Sequence, residues 1–304
     1  MQLDGIHHIS CITGDARGNL DFYTRTLGMR LVAKTVNQDD PTIYHLFYGD
    51  YEGSPGFDLT FFEYPGARPG RAGAGMVYRI GFRVSGPAAF DFWDARLSIA
   101  GVEVRREDGE LRFRDPEGLE LALVIDTSSD APLRARHPEI PAAHDLLGFD
   151  HVVAYGDRIE GSSRVLTEVM GGQSRGENSW EVRGPTRGGW IRFDPPPAER
   201  AVQGGGTVHH VAWATEITEH DQWLERLHKG GVSSTPVIDR HYFQSIYFRE
   251  PSGVLYELAT KGPGFTVDDP IENLGSRLIL PPKFEPHRDS IAQQLTPLPD
   301  VARA

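Results

Sequence analysis

Ile6-His7-His8-Ile9-Ser10 is a strand-like run, and the sequence predicts that an amphipathic helix from about Asp15 to Leu27 follows it, with Gly28 as the stop. Three further segments repeat this plan of a strand, a helix closed by glycine, and two or three more strands. The repeats open at Tyr78-Arg79-Ile80-Gly81-Phe82, Asp150-His151-Val152-Val153 and Val208-His209-His210-Val211. The repetition predicts an α+β fold of four βαβββ modules in two halves.

The two halves are predicted to be joined by a segment from about Asp126 to His144, which is rich in proline, alanine and charged residues. We therefore predict an N-terminal pair of modules in residues 1–128 and a C-terminal pair in residues 145–262. Residues 263–304 do not follow the repeat, and we predict that they pack over the body as a C-terminal strap.

The bulk composition argues against several classes of partner. The 304-residue chain has a formal net charge of -12, whereas nucleic acids and anionic membranes select a basic surface. No apolar run approaches the roughly 18–20 residues that span a bilayer, and the first strand begins too close to Met1 to leave room for a signal peptide. The single cysteine, Cys11, excludes an intrachain disulfide and predicts a reducing cytoplasm.

Adjacent histidines open the first and fourth modules, and side chains alternate between two faces along a strand. His210 shares its face with two alanines, whereas His209 shares its face with bulky apolar residues. Small neighbours suit a cavity, and by the same alternation His8 lies on a face with Ser10. We therefore predict that His8 and His210 are metal ligands in a cleft, and that His7 and His209 point away from it.

A third ligand is predicted after one of two matching turns. Arg114-Asp115-Pro116-Glu117-Gly118 and Arg249-Glu250-Pro251-Ser252-Gly253 each lead into an apolar strand. Glu257 lies four residues past the second turn, among apolar neighbours where a carboxylate is costly to bury without a partner. A divalent cation would be that partner. The equivalent position after the first turn is Ala122, so a single site is predicted.

Two imidazoles and one carboxylate leave the rest of a metal's coordination sphere open. That arrangement suits non-heme iron(II), which must bind a substrate and dioxygen together, and manganese(II) is the alternative. The set contains no thiolate, which argues against a structural zinc site. A satisfied polar cluster without any metal stays open as an interpretation.

The remaining histidines and glutamates have simpler interpretations. His45 lies in a strand-like run and is predicted to be a half-buried packing residue. Glu63 and Glu120 are predicted to face solvent. Surface positions are predicted for the histidines in loops and on polar helix faces, which are His137, His144, His220, His228 and His287.

Several motifs resemble the ring-cleaving dioxygenases of the vicinal oxygen chelate superfamily, specifically their hydroquinone-cleaving, extradiol-type branch. These motifs are Leu3-Asp4-Gly5-Ile6-His7-His8-Ile9, Phe22-Tyr23 with Leu27-Gly28, Gly206-Thr207-Val208-His209-His210, Arg240-His241-Tyr242-Phe243-Gln244-Ser245-Ile246-Tyr247, Arg249 to Glu257, and Leu280 to Arg288. The likeness spans nearly the whole chain, and the stretch from Arg240 to Glu257 is its most specific part. It implies the glyoxalase-like fold of that superfamily.

The resemblance also implies roles for individual residues. It places iron ligands at His8, His210 and Glu257, in agreement with the alternation argument. It places residues that contact the ligands or the substrate at His7, His209, Arg240 and Tyr247. Alternation along a regular strand turns the first two of these away from the cleft, so a catalytic role for them needs a strand that bends. For Arg240 the alternative is a surface ion pair.

A rival ligand set stays open. Two-domain extradiol dioxygenases take all three ligands from the C-terminal half, which here would give His151, His210 and Glu257 and leave His8 structural. The matching histidine pairs favour His8, and that choice requires module one to pair with module four across the cleft.

The triad together with this resemblance predicts iron(II)-dependent opening of a hydroquinone ring by dioxygen in aromatic compound degradation, with catechol as the other candidate substrate. A glyoxalase-like metal-dependent isomerase or thiol transferase is one alternative. A metal-free binding or resistance protein for aromatic compounds is another. The expected partners are a small aromatic substrate and dioxygen, and a homo-oligomer is compatible with the sequence.

Overall fold

Residues 1–299 are described by the computed structural model, and they form four βαβββ modules followed by a C-terminal segment. Module one contains β1 (Ile6–Thr13), α1 (Ala16–Asp21) with a π-helical turn (Phe22–Thr26), β2 (Arg30–Val36), β3 (Tyr44–Gly49) and β4 (Asp58–Glu63). Module two contains β5 (Met76–Val84), α2 (Pro87–Ile99), β6 (Arg105–Glu107), β7 (Glu110–Arg114) and β8 (Glu120–Ile125).

The second half repeats this order. Module three contains β9 (Phe149–Tyr155), α3 (Ile159–Arg164) with a π-helical turn (Val165–Val169), β10 (Gln173–Gly176), β11 (Ser179–Arg183) and β12 (Gly188–Asp194). Module four contains β13 (Thr207–Thr215), a 3-10 turn (Ile217–Glu219), α4 (His220–Lys229), β14 (Ile238–Asp239), β15 (Phe243–Arg249) and β16 (Leu255–Pro263). The final segment contains 3-10 turns (Phe265–Val267, Ile271–Asn273, Glu285–His287) and α5 (Arg288–Ala292).

The strands form two eight-stranded sheets that join modules across the halves. Sheet one has the order β14-β15-β16-β13-β1-β4-β3-β2 and contains modules four and one. Sheet two has the order β10-β11-β12-β9-β5-β8-β7-β6 and contains modules three and two. The predicted α+β fold of four βαβββ modules in two halves is confirmed, and modules one and four pair as the choice of His8 required. The boundaries of the two halves stay predictions.

Local signals explain where the first helix begins and ends. The Asp15 carboxylate accepts hydrogen bonds from the backbone N–H groups of Arg17 and Gly18, each at 3.1 Å, and so caps the helix. Gly28 follows the helix with φ of 66°, a left-handed conformation that glycine adopts at little cost.

Among the described residues, none of the helices is both long and apolar enough to span a membrane.

Each central strand of sheet one contains a one-residue bulge. On β1, Ile6 pairs with Trp213 and His8 pairs with Ala212, which leaves His7 as the extra residue. On β13, the pairs Ser10–His210 and Cys11–Val208 leave His209 as the extra residue. A bulge bends its strand and re-aims the side chain of the extra residue. Strict alternation of faces therefore does not hold where the two histidine pairs lie.

Two of the simpler sequence interpretations are wrong. Glu63 is only 2% exposed, and the Ala16 backbone N–H and the Thr296 hydroxyl both donate hydrogen bonds to its carboxylate. His220 is 1% exposed, and its Nδ1 lies 3.2 Å from the Thr215 hydroxyl. Glu120 is half-buried, and the Arg79 guanidinium donates to it at 2.5 Å.

The C-terminal segment runs against the edge of sheet one. The Ile279 backbone donates to the Lys34 carbonyl at 2.9 Å, and Leu278 forms a parallel bridge with Lys34 on β2. Leu280 and Leu295 are buried in the core. The part of the predicted strap at residues 300–304 lies outside the described residues.

One turn identified in the sequence ties module two to module one. The Asp115 carboxylate accepts hydrogen bonds from the Tyr23 hydroxyl at 3.0 Å and from the Leu119 backbone at 2.8 Å. Burial nevertheless dominates and raises the pKa of Asp115 to about 6 from its ordinary 3.8. Between these values the folded protein binds a proton that the unfolded chain has lost.

This difference predicts that Asp115 makes the protein less stable as the pH rises from about 4 to about 6. The loss should be roughly 3 kcal/mol in the free energy of unfolding. Urea unfolding across this range should show a flatter pH dependence for Asp115→Asn, whereas Asp157→Asn, at an exposed carboxyl, should behave like the unmodified protein. Equal slopes for Asp115→Asn and the unmodified protein would contradict the assignment.

Candidate metal centre

Three predicted ligands converge in the concave face of sheet one. His8 Nε2 lies 3.2 Å from His210 Nε2 and 3.1 Å from Glu257 Oε2. His210 Nε2 lies 2.8 Å from the same carboxylate oxygen. Within residues 1–299, this is the one group of three metal-ligating side chains whose ligand atoms all lie within 4.8 Å of one another.

The strand register explains how residues so far apart in the chain meet. Ala212 on β13 pairs with His8 on the antiparallel neighbour β1 and with Glu257 on the parallel neighbour β16. Side chains paired across adjacent strands lie on the same face. The Ala212 methyl group is small, so the three polar side chains around it can approach one another.

The electrostatics of the triad suit a cation. Glu257 is 0% exposed, and burial alone would raise its pKa, but His8 and His210 outweigh this effect and hold the pKa well below its usual range. Burial also lowers the pKa of His210. The Ser245 hydroxyl donates to Glu257 Oε1 at 2.5 Å, whereas the buried Oε2 has no hydrogen-bond partner among the described residues. An orphaned, ionised carboxylate oxygen beside two imidazoles is a donor set that fits a divalent metal.

A hydrogen-bonded chain fixes which nitrogen of His8 carries the proton. His7 Nε2 lies 3.1 Å from the Thr260 carbonyl oxygen, which can only accept, so the neutral His7 ring donates from Nε2. His7 Nδ1 is then an acceptor and receives the proton of His8 Nδ1 at 3.0 Å. In the neutral form of the His8 ring, Nε2 is then the nitrogen with the lone pair, and it faces Glu257 as metal coordination requires.

The second histidine pair has a similar arrangement. His209 Nδ1 lies 2.8 Å from His210 Nδ1, and the His209 ring is exposed and lines the same cavity as the triad. The expectation that His209 points away from the cleft is therefore wrong. His7 is likewise turned onto His8 rather than away from it. The two bulges are the physical reason, because each adds one residue to its strand.

A cavity of about 320 Å³ opens beside the triad and has a size that suits a small ring compound. Six phenylalanine and tyrosine rings and four histidine rings line this cavity, and they come from segments on both sides of the triad. The lining includes Phe47, Phe62, Tyr64, Tyr242, Phe243 and Tyr247, together with His8, Ser10, Thr35, His45, His209, His210 and Arg240.

Arg240 and Tyr247 lie together in this cavity. The Arg240 guanidinium donates twice to Asp39, at 3.0 Å each, and lies 5.4 Å from the centre of the Tyr247 ring. Arg240 thus forms the ion pair with an exposed carboxylate that one alternative predicted, and it also lines the cavity. Burial raises the pKa of Tyr247, and the Glu257 carboxylate raises it further, so the phenol stays protonated at neutral pH.

The rival ligand His151 lies in sheet two, away from the triad. Its ring stacks on Trp190 at 4.2 Å, Nδ1 lies 2.9 Å from the Asp150 carboxylate, and Nε2 lies 3.3 Å from Glu110. The structure therefore brings His8, rather than His151, together with the other two predicted ligands.

The sequence interpretation missed two residues of this site. Ser245 lies two residues before Tyr247 on the same strand, so the alternation of faces could have placed it beside Glu257. His45 is half-buried as predicted, but its ring lines the cavity. No local signal identified this position, because it depends on the pairing of β3 with β4.

Nearly the whole chain is similar to proteins of known sequence or structure. Residues 5–123 and 148–258 match the family model described as Glyoxalase/Bleomycin resistance protein/Dioxygenase superfamily. MhqA of Bacillus subtilis, named as a candidate ring-cleaving dioxygenase, is 38% identical over 98% of this chain and 100% of its own length. The chlorohydroquinone/hydroquinone 1,2-dioxygenase of Sphingobium indicum is 30% identical over 97% of this chain and 96% of its own. A crystal structure of a candidate Bacillus subtilis dioxygenase superposes with a TM-score of 0.90 at 35% identity, covering 98% of both chains.

The chain of hydrogen bonds from Thr260 to His8 makes a spectroscopic prediction. Burial, with a smaller contribution from His8, lowers the pKa of His7 to about 3, so its ring is neutral near pH 7. Nitrogen-15 correlation spectra of the metal-free protein should show His7 as the Nε2–H tautomer, with His7→Gln used to assign the signals. A protonated Nδ1 on His7 would contradict the deduced chain.

Proposed function

The chain belongs to the Glyoxalase/Bleomycin resistance protein/Dioxygenase superfamily, and from that membership we propose that it is a ring-cleaving dioxygenase that opens a hydroquinone with dioxygen. The observation that carries the proposal is the convergence of His8, His210 and Glu257 beside an aromatic-lined cavity. The full-length match to a hydroquinone dioxygenase supports hydroquinone over catechol as the substrate.

We propose that His8, His210 and Glu257 hold one divalent metal, with iron(II) expected and manganese(II) as the alternative. Such an ion supplies the Lewis acidity that ionises a phenol and the redox contact between the diol and dioxygen. The lone pair that the hydrogen-bonded chain leaves on His8 and the unpartnered Glu257 oxygen support this assignment.

The other residues in the cavity would bind and orient the substrate. The guanidinium of Arg240 and the protonated phenol of Tyr247 are hydrogen-bond donors that can stabilise an oxyanion of the diol. His7 would hold His8 in its coordinating tautomer. His209 contacts His210 and is exposed at the cavity, which supports a role in exchanging a proton between the substrate and water.

The proposed partners are a small aromatic substrate and dioxygen, and the proposed location is the cytoplasm. The single cysteine, Cys11, is fully buried and shows no demand for an oxidising compartment. A reducing location would also help to keep iron in the divalent state.

The proposed ligands predict one tight metal site per chain. Glu257→Gln should weaken iron(II) binding by more than the roughly 10–100-fold that loss of an outer hydrogen-bond partner costs, because it removes the anionic ligand itself. Anaerobic titration followed by metal analysis measures this. Glu63→Gln is a matched control, because Glu63 is also a buried strand glutamate but lies outside the triad. Equal losses in both variants, or none in either, would contradict the assignment.

The proposed reaction predicts a definite stoichiometry. The iron(II)-loaded protein should consume one dioxygen for each hydroquinone and release no hydrogen peroxide, because both oxygen atoms enter the ring-opened product. An oxygen electrode combined with a peroxide assay distinguishes this reaction from simple oxidation to a quinone. No uptake with any hydroquinone or catechol would exclude ring cleavage as the function.

A further inference from the structure

Three polar side chains form a hydrogen-bonded strip beyond the triad, and two of them, Ser10 and His45, line the cavity. The Ser10 and Thr60 hydroxyl oxygens are 2.7 Å apart, and the Thr60 hydroxyl lies 2.9 Å from His45 Nε2. The three residues come from the adjacent strands β1, β4 and β3. Neither the metal ligands nor the residues that contact them account for this strip.

The His45 ring is held in a fixed orientation. Its ring centre lies 4.0 Å from that of Phe47 and 4.2 Å from that of Phe62, so aromatic rings pack against it. Nε2 is occupied by Thr60, whereas Nδ1 has no hydrogen-bond partner within residues 1–299. Since the ring lines the cavity, this nitrogen is left for a ligand.

The strip can match a hydroxyl group in either hydrogen-bond direction. If Ser10 donates to Thr60 and Thr60 donates to His45 Nε2, the neutral ring carries its proton on Nδ1 and donates to the ligand. If the direction reverses, Nδ1 accepts instead. A phenolic hydroxyl can take either role, so it fits both states. A hydrocarbon edge of a substrate fits neither.

The position of the strip matches one substrate geometry. The triad lies on β16, β13 and β1, whereas His45 lies on β3, two strands beyond β1. Two strands correspond to roughly 10 Å along a flat sheet, and the curl of the sheet around the cavity shortens this distance. A para-diol held at the triad by one oxygen directs its other oxygen away across the ring. An ortho-diol keeps both oxygens at the triad end.

We propose that His45, positioned by Thr60 and Ser10, hydrogen-bonds the distal hydroxyl of a para-diol and makes the cavity select hydroquinones over catechols. The inference rests on the proposed function, because that function places the first hydroxyl at the triad. It assigns to His45 the role of a specificity-determining residue that touches the substrate.

Equilibrium binding tests this role without turnover. Zinc(II)-loaded protein, which carries out no redox chemistry, is titrated with hydroquinone and with phenol, which lacks the second hydroxyl. The unmodified protein should bind hydroquinone about tenfold more tightly, as expected for one hydrogen bond in a partly desolvated site. His45→Phe keeps a ring between the two phenylalanines and should bind both compounds equally.

Two further variants keep the test informative. His228→Phe makes the same exchange at an exposed histidine on α4 and should retain the tenfold preference. Thr60→Val removes the hydroxyl that holds His45 while leaving the imidazole, so it should lose part of the preference. If His45→Phe does not fold, the binding preference of Thr60→Val still tests the role of His45.

The outcomes separate this inference from the proposed function. A tenfold preference that survives in His45→Phe, or no preference in the unmodified protein, would overturn the role of His45 even where iron-loaded protein cleaves rings. A preference that depends on His45, in a protein that consumes no dioxygen with any diol, would leave the hydroxyl site standing and exclude the proposed function.

Discussion

The structure depends on one group that is unfavourable to bury, the carboxylate of Glu257, which is fully buried on β16 next to the central strands of sheet one. A buried anion needs a positive partner, and the two imidazole nitrogens within 3.1 Å of its Oε2 atom complete a donor set that fits a divalent cation. This convergence needs the pairing of modules one and four, because His8 belongs to the first module and the other two residues belong to the last. The pairing of modules one and four in one sheet is therefore required for the candidate metal centre to form.

Sheet two has the same arrangement of modules as sheet one but does not bring three metal-ligating side chains together among the described residues. Its central strands carry bulges at Tyr78 and Asp150, which correspond to the bulges at the histidine pairs of sheet one. The residues that follow are Arg79 and His151, and these side chains contact carboxylates of the same sheet: the Arg79 guanidinium lies 2.5 Å from Glu120, and His151 lies 2.9 Å from Asp150. Side chains of the protein itself thus pair with the carboxylates there. The repeated backbone supplies two similar places, and the side chains make only one of them a candidate metal centre.

Much of this site could be predicted because repetition and alternation are local signals. The module openings and the position of Glu257 after its turn were enough to select the triad that the structure brings together. Alternation could not predict the orientation of His209, because the bulge on β13 adds one residue and reverses the alternation of faces. No feature of the sequence marks the position of that bulge. His220 and Glu63 were misjudged for a related reason, because their burial comes from contacts with distant segments. The role of the cavity strip likewise depends on the pairing of β1, β4 and β3.

The central claim is that one metal ion is held between modules one and four. Anomalous diffraction at the iron edge, from crystals grown anaerobically with iron(II), measures its position directly. A single strong peak is expected within coordination distance of His8 Nε2, His210 Nε2 and Glu257 Oε2. A peak beside His151 and Glu110 instead, or no ordered peak in crystals that contain stoichiometric iron, would contradict it.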